Sequence, residues 1–185
     1  MQEVIHKTYL SHHPDDQSQV GQFLEQFDYL NNLAIHRPQG ELEQDIERED
    51  NKHKLIHKMR QRYLKDSTVT LLLLGPCTYT QRSVDLELLA SLHHGQDVMA
   101  DPDEDILPNG LVAVMLPHYQ ENGFPDRLNE NLRVSETQPI PYAKVIPYPD
   151  DKTTLAAAIE EAYTRRQTLL PNNTPTMQSE DKACL

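Results

Sequence analysis

The sequence predicts an α/β fold in three layers, with helices on both faces of a mainly parallel sheet. Three observations carry this. Val69–Leu74 and Leu111–Leu116 are near-continuous apolar runs of strand length, the first ended by Gly75-Pro76 and the second by Pro117. Strands covered on both faces read this way. Segments with apolar residues at three- and four-residue spacing alternate with the strand-like runs, the signature of a parallel sheet.

Lys7–Ser11 reads as a first strand. It closes in the polar turn His12–Asp16, where Pro14 and the paired aspartates supply turn and helix-start chemistry. Val20, Phe23, Leu24 and Phe27 mark a helix over Gln17–Phe27. Leu33–His36 is a candidate second strand, stopped by Pro38-Gln39-Gly40. Glu41–Asp50 is dense in carboxylates and reads as a solvated loop or exposed helix face. Leu55, Ile56, Met59 and Tyr63 form one stripe of a helix over Asn51–Leu64.

After the central strand, Ser83 is placed to cap a helix, with Asp85 complementing the dipole in its first turn. Val84, Leu88, Leu89 and Leu92 are its buried stripe, and His93-His94-Gly95 ends it. Asp97–Gly110 reads as a polar loop. Pro125–Asn131 is a short helix within the irregular stretch Gln120–Val134. Tyr142–Ile146 is the last strand, and Leu155, Ile159, Ala162 and Tyr163 define a final helix over Lys152–Arg166. Residues 1–170 form one domain. Pro171–Leu185, polar and without period, reads as a disordered tail.

Composition narrows the partners. The 185 residues are 37% hydrophobic and 25% charged, enough for one core with a solvated surface. A formal net charge of -12 argues against nucleic acid, whose phosphates it repels. The two cysteines, Cys77 and Cys184, have no metal-type spacing and indicate no disulfide framework; both thiols fit a reducing cytosol. The N-terminus lacks the apolar core of a secretory leader, and no apolar run is long enough to span a bilayer. The expectation is a soluble cytoplasmic protein with no membrane partner and no metal.

Ligands of open parallel sheets sit beyond the carboxyl ends of the strands, here Ser11–Asp16, Gly75–Arg82 and Pro117–Gly123. The chain has six glycines, and no glycine-rich phosphate loop follows the first strand. A phospho-receiver would need a carboxylate after the central strand, where Gly75-Pro76 stands. Asp15 and Asp16 therefore read as helix-capping residues. Ser11 beside His12 and His13 lacks the elbow of a hydrolase nucleophile, and the two histidines read as polar turn residues. Glu87 is the notable carboxylate. An early-helix Glu usually faces water and complements the dipole. Facing the crevice instead, it could stabilise an oxocarbenium ion or hold a ribose hydroxyl.

Six segments in order carry a resemblance: Tyr9–Asp16, Lys65–Gly75, Arg82–Glu87, Gly110–Pro117, Pro125–Leu128 and Tyr142–Lys144. Together they resemble the TIR-like domain of the bacterial Thoeris anti-phage system, over Lys7 to Arg166. The resemblance implies a flavodoxin-like, TIR-like three-layer fold that acts on NAD as substrate, without a cofactor. It implies cleavage of the nicotinamide–ribose bond and a cyclic or conjugated ADP-ribose signal that activates an effector protein. A phage-derived trigger and self-association of the active form belong to the same expectation. The V-D-x-E segment puts the catalytic carboxylate on Glu87. Ser11 and His12, matched by the first loop, would line the ribose and nicotinamide side. His13, Tyr79, Ser83 and Asp85 complete the expected substrate-binding set. Where relatives carry W-V-D-W-E, this chain has Ser83 and Leu86, and it contains no Trp.

Overall fold

The computed structural model describes residues 6–27, 34–35, 51–96 and 105–184. Five strands form one sheet: β1 (Thr8–His12), β2 (Ala34–Ile35), β3 (Val69–Leu74), β6 (Gly110–Met115) and β7 (Ala143–Ile146). Their order is β2-β1-β3-β6-β7, and every pairing is parallel. Thr8–His12 lies opposite Val69–Leu73, and Val69–Leu74 opposite Gly110–Met115. The expected α/β architecture is present.

Five helices accompany the sheet among the described residues: α1 (Gln17–Phe27), α2 (Lys52–Met59), α3 (Arg82–Ser91), α4 (Asp126–Leu132) and α5 (Lys152–Thr168). Asn51 caps α2 by accepting from the amides of His53 and Lys54, and Asp151 caps α5 through the amide of Thr154. The helix expected over Asn51–Leu64 stays α-helical only to Met59; its last turn, Arg60–Leu64, is π-helical. The widened turn keeps Tyr63 and Leu64 buried against the α2 and α3 side of the sheet. A small antiparallel pair, β4 (Gly95–Gln96) with β5 (Asp105–Ile106), lies within what reads in sequence as helix end and loop. Residues 41–50 and most of the loop after Gln96 fall outside the described residues.

The two faces of β3 explain its unbroken apolar run. Leu71 and Leu73 pack with Val20 and Phe23 of α1 and Leu155, Ile159 and Ala162 of α5. Leu72 and Leu74 pack with Val84 and Leu88 of α3, with Leu92 just after it and with Leu128 of α4. All four leucines are fully buried, each contributing about 1.5–3 kcal/mol of apolar burial. No helix among the described residues is long and apolar enough to cross a membrane.

Residues 171–184 overturn their sequence reading. They run along α3 and α4, where Arg127, Asn131 and the Arg82 amide donate hydrogen bonds to them and Asp85 accepts one from the Gln178 amide. Cys184 is joined to Cys77 in a disulfide across 107 residues of sequence. The segment lacks apolar period because polar side chains and backbone hold it, which composition does not reveal.

Gly110 marks the closest approach of sheet and helix. A Cβ there would meet the Ala162 carbonyl oxygen of α5 at 2.3 Å. Backbone on both sides leaves little room to yield. Gly110→Ala is expected to cost about 1–3 kcal/mol, seen as a thermal midpoint lower by roughly 2–4 °C per kcal/mol.

Candidate functional site

The strand order changes direction between β1 and β3, since β2 lies on one side of β1 and every later strand of the sheet lies on the other. Ligands of such sheets bind outside the carboxyl ends at this point. The turn after β1, the segment Gly75–Arg82 after β3 and the start of α3 meet there.

Ser11 and Glu87 are brought together. The Ser11 hydroxyl donates to Glu87 Oε2. Glu87 is 0% exposed and Ser11 1%. The solvent-facing reading of Glu87 is therefore corrected. α3 lies between the sheet, α2, α4 and the C-terminal segment, and every residue from Ser83 to Ser91 is buried. A helix covered all round has no water-facing side for an acidic residue. In so apolar a setting, any charge that develops near Glu87 is weakly screened.

Asp85 points elsewhere. Residues two apart on a helix do not share a face, and Asp85 turns towards α4 and the C-terminal segment. Its Oδ1 meets Arg127 Nε at 2.9 Å and its Oδ2 accepts from the Gln178 amide at 2.8 Å. Both side chains are buried. Burial pushes the Arg127 guanidinium below its usual range, and Asp85 draws it back up. The remaining guanidinium nitrogens donate to Asn173 O and Oδ1 and to Pro175 O. Asp85, expected among the substrate-binding residues, has both oxygens engaged in this cluster.

The other expected residues are placed as follows. Ser83 is buried in the first turn of α3 and does not cap it. The helix starts one residue earlier, at Arg82, whose amide donates to Asp181 Oδ1 at 2.8 Å. Tyr79 is half-buried in the 3-10 turn Thr78–Thr80, and its carbonyl accepts from Gln178 Nε2. His12 Nδ1 lies 2.9 Å from the His13 carbonyl, and His13 Nδ1 accepts from the Asp15 amide. Both histidines make these contacts at the turn after β1.

Asp16 also departs from its capping reading. It caps nothing; His13 does that. Asp16 is 4% exposed, and its Oδ1 lies 2.8 Å from His118 Nε2. Its carboxylate rests against Gly75, where a Cβ would come within 2.1 Å of Oδ2. The pair ties the turn after β1 to the segment after β6 across a separation of 102 residues. No local sequence signal joins them. Among the described residues, no group of three or more His, Cys, Asp or Glu is placed to hold a metal ion.

The parallel sheet with its reversal between β1 and β3, and the carboxyl group of α3 set against β1, define a TIR-like α/β domain. The family model for the Thoeris protein ThsB, TIR-like domain, matches residues 9–103, just over half of the chain. The chain belongs to that family, which ties it to anti-phage defence. The match includes Ser11, Asp85 and Glu87 and ends before β6. A comparison with curated proteins finds no match.

Arg127→Ala strands the buried Asp85 carboxylate and removes three contacts to the C-terminal segment. Urea unfolding is expected to show a loss of about 3–5 kcal/mol. Adding Asp85→Asn to the same chain should recover part of it, because the stranded charge is gone.

Proposed function

We propose that this domain cleaves the nicotinamide–ribose bond of NAD, with Glu87 as the carboxylate that stabilises the reacting ribose. The observation that carries this is the Ser11–Glu87 pair, buried beneath β1 within the family-matched region. In the reaction the C1′–N bond breaks and its electron pair leaves with nicotinamide. Positive charge then develops on the ribose ring. A carboxylate within a few ångströms stabilises that charge by several kcal/mol where water is excluded. A nucleophile closes on C1′ and gives up its proton. Water would yield ADP-ribose; a group of the same molecule, or a second molecule, would yield a cyclic or conjugated signal for an effector protein. The Ser11 hydroxyl orients Glu87 and is suited to pass its hydrogen bond to a ribose hydroxyl. NAD is the substrate, and no further cofactor enters this scheme.

Glu87 is enclosed in the structure, so the reaction needs a form in which NAD reaches it. Self-association on a phage-derived trigger, in the cytoplasm, supplies that step in this reading. The same enclosure favours a second reading, a non-catalytic TIR-like module that works by self-association or by binding a nucleotide signal.

Glu87→Gln separates the two, since the amide can still accept from Ser11 and preserve the fold. With NAD and lysate of infected cells, the unaltered chain should release nicotinamide, measured by mass spectrometry. The variant should be slower by on the order of 100-fold. Equal NAD loss in both chains sinks the role of Glu87. No loss in either, with self-association intact, establishes the second reading.

A further inference from the structure

We propose that the Cys77–Cys184 disulfide is a redox-sensitive latch that holds residues 179–184 across the start of α3 and releases them when reduced. The observations come from the two unlike halves of the C-terminal segment. Its inner half is built into the protein. Asn172 and Asn131 exchange hydrogen bonds at 2.9 and 2.7 Å, Asn173 and Pro175 accept from Arg127, and the Gln178 amide donates to Asp85. Pro171 and Gln178 are buried at its two ends. These contacts do not depend on the cysteines.

Its outer half is different. Residues 179–184 are all exposed. Three polar contacts and the disulfide hold them: Asp181 Oδ1 accepts from the Arg82 amide at 2.8 Å, the Lys182 amide donates to Thr80 O at 2.9 Å, and Lys182 Nζ lies 3.4 Å from Asp126. Exposed contacts of this kind are individually worth little. The covalent bond keeps them made. Its other end, Cys77, stands in the segment that joins β3 to α3, beside the 3-10 turn Thr78–Thr80. The latch therefore spans both sides of the helix start it caps, and Glu87 lies farther along that helix.

The bond is placed to be reversible. Cys184 is exposed, and accessible disulfides are the labile, regulatory ones. A dithiol reductant attacks Cys184 Sγ through its thiolate, and Cys77 leaves as a thiolate that takes up a proton. The second thiol of the reductant then resolves the mixed disulfide and frees Cys184. Two electrons and two protons pass from the reductant, which closes to its own disulfide. The freed end then has no covalent hold, and the amides of Arg82 and Lys182 lose their partners. The rim from Gly75 to Arg82 loosens while the inner half stays in place.

The test uses the full chain, purified without reductant and divided into untreated and dithiothreitol-treated halves. Iodoacetamide followed by intact mass should add no group to the first and two to the second. Amide exchange at Arg82 and Lys182 should be on the order of tenfold faster in the reduced half, while Gln178 stays unchanged. Cys184→Ser, a change at an exposed position, should reproduce the reduced pattern and ignore dithiothreitol. Two alkylated cysteines in the untreated chain would overturn the latch. So would unchanged exchange at Arg82 and Lys182 on reduction, or Gln178 exchanging together with them. None of these readouts involves NAD.

Discussion

A guanidinium taken out of water must find partners for its N–H groups and an anion for its charge. Arg127 is 0% exposed, and it meets both demands by drawing three separate parts of the chain together. α4 supplies the residue itself, α3 supplies Asp85, and the C-terminal segment supplies carbonyls at Asn173 and Pro175. The arrangement of α3, α4 and residues 172–178 follows from this one requirement. It also explains why a polar segment without apolar period is ordered. Its backbone oxygens serve a buried cation, a stronger hold than a neutral hydrogen bond provides.

That cluster shapes α3 in turn. The helix is 10 residues long and buried from Ser83 to Ser91. Its two carboxyl groups go to opposite sides, Asp85 to Arg127 and Glu87 to Ser11 of β1. A helix carrying two buried acids would be costly if either lacked a partner. Asp85 anchors the outer side of the helix, and Glu87 faces the strand beside the reversal of the sheet. The charge that holds the helix and the group proposed to act on substrate are kept apart by the i, i+2 geometry alone.

This division shows what the sequence could and could not display. β3 and β6 are legible because burial on both faces leaves an unbroken apolar run. α1 and α5 are legible because each has one covered face and hence a period. α3 has no uncovered face, so Ser83, Asp85 and Glu87 look like surface positions although none is exposed. Asp16 and His118 meet only through the fold, and so do Cys77 and Cys184. Arg127 looks like an ordinary exposed cation on a short helix. The position of Glu87 is legible, but its catalytic assignment rests on resemblance, because burial is a property of what surrounds a residue and not of its own type. The capping of α3 was misplaced for the same reason: its partner, Asp181, stands 99 residues away.

The enclosure of Glu87 limits how a ligand could reach it. Val84 and Leu88 on one side of α3, with Leu92 at its end, and Leu86 and Leu89 on another, are locked into the apolar layers beneath the sheet. Lifting the helix as a whole would expose all of them, and each buried leucine opposes that by about 1.5–3 kcal/mol. The rims at the two ends of β1 and β3 are held differently. Asp16 and His118 close the turn after β1 with one polar contact, and His118 is 37% exposed on its side chain. The start of α3 is closed by Asp181 and by the backbone of Lys182, and the Cys77–Cys184 disulfide keeps both contacts made. The two ties at α3 are hydrogen bonds near solvent that cost about 0.5–1.5 kcal/mol each to open, and the contact to the buried Asp16 carboxylate costs about 1.5–3 kcal/mol. Movement that would admit a ligand therefore begins at these ties, on the carboxyl edge of the sheet, with the Cys77–Cys184 bond open, and leaves the leucine layers in place.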